Sequence, residues 1–278
     1  MPVDETLICT LDEGPSAAAT AAFGLWLGDS VGARPLVCSP RSAIDLIAVA
    51  AEHRARLIVT AGSNEAATER AIELTYGLDG ALVVLPQASL ELWLNPSEAR
   101  RRASGAVVAG SDGSAASIEA ARIAGRIAAG LGGSALIAHA RSAIATGEQP
   151  SRPASPLDPI AEGELDARLS LLGPALAAAR EHGATVEARF ASATAVEALN
   201  DLAATEHSPL IAVGASRPPR EGLALARSVT GRIIARAERP ILIATSGPPS
   251  GRDDELTTTD PQHAGTLPAP AVDPLTRT

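Results

Sequence analysis

One carboxylate stands where an apolar run gives way to a helix-like one. It is Asp112, in the stretch VVAGSDGSAAS from Val107 to Ser117. An acid at the carboxyl end of a strand, just before a helix, occupies the place where parallel α/β sheets hold ligands. The same residue type also serves as a plain turn or N-cap residue, because Asp, Gly and Ser favour helix starts. Which role applies depends on whether the rest of a nucleotide site follows it. Little else in the chain has catalytic spacing. His53 and His207 each follow a glutamate near the end of a helical run, where a cation is favourable. No His, Cys and Asp spacing matches a zinc site, so no metal ligands are expected. Serines cluster near helix starts without an accompanying base, and no nucleophile elbow or Ser-His-Asp set is present. The chemistry on offer is binding, and no catalytic residue is assigned.

Bulk composition narrows the classes further. The chain has 278 residues, 46% hydrophobic and 2% aromatic, with a net charge of −9. Small aliphatic residues suit helices packed on a parallel sheet. They do not make a stacking surface for bases, and the acidic balance argues against phosphate neutralisation, so no nucleic-acid partner is expected. Arg100–Arg102 is the dense basic cluster and reads as a solvated linker. Cys9 and Cys38 lie in strand-like runs and read as buried free thiols. Trp26 and Trp93 read as packing residues. The opening MPVDET lacks signal-peptide shape and no apolar run reaches a membrane span. The expectation is a soluble, cytoplasmic protein with no membrane partner.

The elements that must position Asp112 come in two copies. TLICTLDEGPSAAATAAFGLWLGDSVGARPLVCS lies over GAVVAGSDGSAASIEAARIAGRIAAGLGGSALIAHA, with Asp12 on Asp112 at an offset of 100. RLIVTAGS lies over PLIAVGAS at an offset of 153, and later segments match at about 162. The second copy thus carries 53 extra residues in one place and about nine in another. Its strands read as Gly105–Ala109, Ser134–His139, Thr185–Ala191, Pro209–Val213 and Pro240–Ala244, with helices between. Pro174 is expected to kink or split a helix near Glu164–His182, and GLGG at Gly130–Gly133 to stop one. Alternating strands and helices give a doubly wound parallel sheet. The expected architecture is α/β: two stacked units of sheet order 3-2-1-4-5, the first lacking one edge strand. The division is 1–85, a linker 86–104 with LELWLNPSEARRR over the junction, 105–245, and a disordered tail 246–278.

The second copy resembles the universal stress protein family. The likeness covers most of Gly105–Thr245, and Thr6–Leu85 more weakly. VVAGSDGS is similar to the family's V-D-G-S strand end. LIAVGASRPPREGLALARSVTGRIIARAERPILIA is similar to its closing strand–loop–helix–strand segment, and His139 fits its second strand. ATP-binding members carry G-x-x-G, nine residues, then G-[ST], in which glycines let the backbone approach phosphates and the next helix supplies amides. The resemblance maps the first glycine to Gly214, after the apolar Val213. The second glycine position holds Arg217 and the third holds Arg227, followed by Ser228 and Val229. Spacing is kept while two of three glycines are arginine, and Pro218 and Pro219 remove backbone donors. Two readings stay open. The arginines fill the groove, or with Arg220 they hold phosphate by guanidinium groups.

The resemblance implies a stress-response regulator that binds ATP or another adenine nucleotide in the second unit, with Mg²⁺ only alongside ATP. Asp112, Val213, Gly214, Arg217, Arg227, Ser228 and Val229 would line the site, and at most slow hydrolysis is expected. The first copy keeps Asp12 but lacks the phosphate loop. It would bind no nucleotide and serve as an internal partner, making a pseudo-dimer and leaving a homodimer open. The alternative is a non-binding dimeric scaffold or partner-docking module.

Overall fold

Short runs of Val, Ile, Leu and Ala become the inner strands, buried on both faces, while the edge strands are partly exposed, and the alanine-rich runs between them become the covering helices. The computed structural model describes residues 5–10, 15–40, 42–62, 80–102, 104–140, 162–191, 193–215 and 229–245. The strands are β1 (Thr6–Thr10), β2 (Arg34–Cys38), β3 (Leu57–Gly62), β4 (Ala81–Pro86), β5 (Val107–Gly110), β6 (Ser134–Ala140), β7 (Thr185–Ala191), β8 (Ile211–Ala215) and β9 (Ile241–Thr245). The helices are α1 (Pro15–Val31), α2 (Ala43–Glu52), α3 (Gln87–Trp93), α4 (Pro96–Arg102), α5 (Ala115–Gly130), α6 (Glu162–Arg180), α7 (Ala195–Thr205) and α8 (Val229–Arg236). Met1–Gly247 form one compact unit. The Pro-rich loop expected after His139 and the tail from Ser246 lie outside the described residues.

The strands form one sheet in the order β2-β1-β3-β4-β9-β8-β5-β6-β7. The second half, β7-β6-β5-β8-β9, has the expected 3-2-1-4-5 order. Among the described residues the first half repeats it without the edge strand. All pairs are parallel except β4 with β9. The halves are therefore joined edge to edge, not stacked, because antiparallel pairing of the two last strands satisfies backbone groups that would otherwise lie at open edges. Val83 pairs with Leu242, flanked by Leu82–Ile243 and Val84–Ile241. The pattern is self-complementary, as across a two-fold axis.

Strand register fixes how the halves correspond. Ile8 pairs with Ile58 as Val108 pairs with Ile211, which confirms the offsets of 100 and 153. Ile58 pairs with Leu82 as Ile211 pairs with Ile241, so the second connection is longer by six residues, not nine. The helix ends correct a second match. Arg54 and His207 both take a left-handed φ of 50°, so His207 corresponds to Arg54 and not to His53.

Two cores lie on the two faces of the sheet. One includes Phe23, Leu27, Trp93, Ile127, Ile137 and Leu172, under α1, α3, α5 and α6. The other includes Leu46, Leu136, Leu199, Val213 and Ile233, under α2, α7 and α8. The expected linker 86–104 carries α3 and α4. Trp93 is 1% exposed and packs on Phe23 and Trp26, with ring centroids 5.1 and 5.3 Å away. The Ser89 hydroxyl donates to the Glu238 carbonyl at 2.7 Å, tying α3 to the turn before β9. On α4, Arg101 pairs with Glu98. Helix α6 runs through Pro174 as one element, since its packing on α5 outweighs one missing amide. GLGG ends α5 as expected, with Gly132 at φ 66°.

Candidate functional site

Strands β5 and β8 are neighbours, and the helices that follow them cover opposite faces: α5 one, α8 the other. Such a divergence opens a crevice at the strand ends, the usual ligand position in doubly wound sheets. Asp112 sits at its rim. Its Oδ1 accepts the Ser114 amide at 3.0 Å, closing a local turn. Gly113 takes φ 82°, a conformation that favours glycine. Ser114, not Asp112, caps α5, accepting the Ser117 amide at 3.3 Å. The Asp112 side chain is left exposed beside the positive end of that helix. Partial burial pushes its carboxyl upward. Hydrogen bonds from the Ser114 hydroxyl and amide, then from Ser117, outweigh this and hold it below its ordinary value.

A set of serines and one histidine fixes the loop. The Ser117 hydroxyl donates to the Ser114 carbonyl at 2.9 Å and lies 3.2 Å from the Ser111 hydroxyl. Ser111 Oγ accepts the Gly113 amide at 3.3 Å. His139, at the end of β6, reaches across to the Ser111 carbonyl at 2.9 Å through Nδ1. A carbonyl only accepts, so Nδ1 carries the proton.

Gly214 ends β8 against the first turn of α5. A Cβ there would collide with the backbone of Ala116 and Ser117. The Thr230 hydroxyl, in the first turn of α8, donates to the Gly214 carbonyl at 3.2 Å. Gly214 thus brings the starts of both helices together, and close strand–helix approach accounts for its lack of a side chain. Val213 is 4% exposed and belongs to the core beneath α7 and α8. Val229 opens α8 and is 40% exposed. Arg217, Arg227 and Ser228, with Arg220, lie outside the described residues, as does Asp12 in the first half.

Ser111, Ser117, His139 and Thr230 complete the arrangement around Asp112 and Gly214. For Thr230 the available sign was a hydroxyl residue opening a helix in SVTGR. In the first half the equivalent strand ends are bridged. Thr10 stands where Gly110 stands, and its hydroxyl donates to the Thr60 hydroxyl at 3.0 Å across the two strand ends. Ala61 stands in the place of Gly214. Among the described residues no cluster of three His, Cys, Asp or Glu side chains is placed to hold a metal ion, and no helix is long and apolar enough to cross a membrane.

Residues 105–245 match the model of the Universal stress protein family. This chain belongs to that family. A solved universal stress protein from Archaeoglobus fulgidus DSM 4304 is 13% identical, with a TM-score of 0.59 over 88% of this chain and 99% of that one. A functionally unknown protein from Pseudomonas aeruginosa PAO1 is 11% identical, with a TM-score of 0.52 over 87% and 92%. Both likenesses span both halves of the sheet and show the fold. A universal stress protein in complex with cAMP is 29% identical over 51% of this chain and 97% of its own, with a TM-score of 0.41. No curated protein matches the chain significantly.

Proposed function

We propose that this protein is a cytoplasmic stress-response regulator that binds ATP or another adenine nucleotide in its second half only. The contrast between the two crevices carries the proposal. Where the first half bridges its strand ends with Thr10 and Thr60, the second has Gly110 and Val213, which make no such hydroxyl bridge, beside an exposed, ionised Asp112. Asp112 would accept hydrogen bonds from the nucleoside hydroxyls. The first-turn amides of α5 and α8 would face the anionic end. Gly214, Ser228 and Val229 would lie along the ligand, Val213 would support it from the core, and Arg217 and Arg227 would neutralise phosphate. These donors suit a nucleotide, and Mg²⁺ would enter only with a triphosphate, whose charge it would share with the arginines. No residue is assigned as a general base, so the role proposed is sensing, with slow hydrolysis at most. The first half acts as the built-in partner of a tandem pair.

Isothermal titration with ATP and Mg²⁺, beside Asp112→Ala, tests this. The expected result is one saturable site per chain, lost in the variant. No heat and no thermal shift at millimolar ATP would overturn it. That outcome would favour a partner-docking scaffold of the same family. One observation already points that way: packing against α5 explains the glycine at 214 without any ligand.

A further inference from the structure

A groove of about 740 Å³ runs along α5, from Ala115 at its start to Arg126. Ile118 and Ile123 of α5, with Leu57 and Ala81 at the starts of β3 and β4, give it an apolar floor. Arg56, Arg122, Arg126 and His182 stand at its rim with Glu5 and Glu119. Arg122 pairs with Glu119 and Glu181, and Arg126 with Glu5. Arg56 is exposed and in no ion pair with a described residue, so it is the rim charge left for a partner of opposite sign on a chain whose net charge is −9.

The internal symmetry says what fits there. Helix α5 corresponds to α1 at the offset of 100, so Ile118, Ile123 and Arg126 stand where Ala18, Phe23 and Trp26 stand. In the first half that face is covered. Helix α3 leaves the end of β4 and buries Leu90 and Trp93, with Trp93 against Phe23 and Trp26. Thr245, which corresponds to Pro86 just before α3, lines the groove. The groove is therefore the counterpart of the bed of α3. The sequence after Thr245, SGPPSGRDDE, has no counterpart of QASLELW. Among the described residues nothing covers the face.

We propose that this groove docks an amphipathic helix of a partner protein, about two turns long, with large apolar residues at i and i+3 and acidic flanks. The apolar pair would fill the space over Ile118 and Ile123, as Leu90 and Trp93 do on α1. Acidic flanks answer the one change of character between the two beds. Ala22 and Trp26 on α1 are replaced by Arg122 and Arg126 on α5, and opposite charges across a rim set partner choice.

The probe is a fluorescein-labelled peptide with the sequence of residues 87–98, QASLELWLNPSE, which carries the apolar pair and two glutamates. Fluorescence anisotropy against the full chain should show saturable binding that weakens as salt rises. Ile118→Lys and the exposed Arg56→Glu should each weaken it about tenfold or more. Arg56→Glu guards against a variant that fails only by misfolding. Amide shifts in a ¹⁵N spectrum should cluster on Gly80, Ala81, Ile118 and Ile123. No binding would overturn the proposal, as would binding unchanged in both variants. Shifts centred on Phe23 and Trp26 would also overturn it, since the peptide would then be displacing α3 from its own bed.

Discussion

Asp112 shows how a residue that reads as a turn former also becomes a ligand group. Oδ1 closes the turn onto Ser114, yet the side chain stays exposed at the strand ends. Because its folded value lies below the ordinary carboxyl value, its charge stabilises the fold above about pH 4. That contribution is lost as pH falls through the depressed folded value. The stability gap between wild type and Asp112→Asn, read from urea midpoints, should be full at neutral pH and narrow as pH falls; a gap that stays constant or widens in acid contradicts the hydrogen bonding described. The thiols behave in the opposite sense. Burial, and then the neighbouring Cys38, push Cys9 up to about 12. Unfolding at alkaline pH releases a proton that the folded thiol keeps, so stability falls as pH rises past the ordinary thiol range, about 8.5. Cys9 lies in one core while Cys38 packs against the other, on opposite faces of the sheet. Alkylation at pH 8 should label Cys38 first and Cys9 only at the rate of unfolding. At the bridged strand ends, Thr10→Val should cost about 1–3 kcal/mol by stranding the Thr60 hydroxyl, while the double valine variant should be nearly neutral. Chemical denaturation of the three chains decides it.

At the level of elements, close backbone approach matters more than propensity. A Cβ at Gly130 would enter the backbone of Ser30, and one at Gly125 the backbone of Ala179, so α5 meets α1 and α6 at these glycines. Gly214 does the same for β8 and α5. Gly214→Ala should lose at least the roughly 1–3 kcal/mol typical of overpacking, read as a lower Tm, because the colliding atoms belong to a helix backbone. Sequence pattern located nearly every strand here, since continuous apolar runs mark strands buried on both faces. Its misses have separate causes. The 86–104 segment reads as a linker with LELWLNPSEARRR over the junction, and only the fold shows that Leu90 and Trp93 are buried in the core that α1 covers. Pro174 reads as a kink or a split, and the helix is not split there: tertiary packing carries α6 through it. His53 was matched to His207 by residue type, whereas the left-handed turn belongs to Arg54, a feature of backbone conformation that type does not show.

For the whole molecule, the β4–β9 pair makes two half-sheets one sheet. Its central residues Val83 and Leu242 are both fully buried. Leu242→Ala should cost about 2–5 kcal/mol and shift one cooperative melting transition, because the junction supports both cores. Two separated transitions in calorimetry would contradict this coupling. The sequence by itself determined the α/β class, the repeat, the missing edge strand and the family likeness around Asp112 and Gly214. All of these rest on local hydrophobic runs and on residue identities at fixed spacing. Only the tertiary structure decided that the halves join edge to edge, that Thr10 meets Thr60, that His139 holds the Ser111 carbonyl, and that no described residue covers α5 where α3 covers α1. Each of these depends on which distant segments pack together, and no local pattern encodes that choice: many pairings would bury the same apolar runs, and backbone fit selects among them.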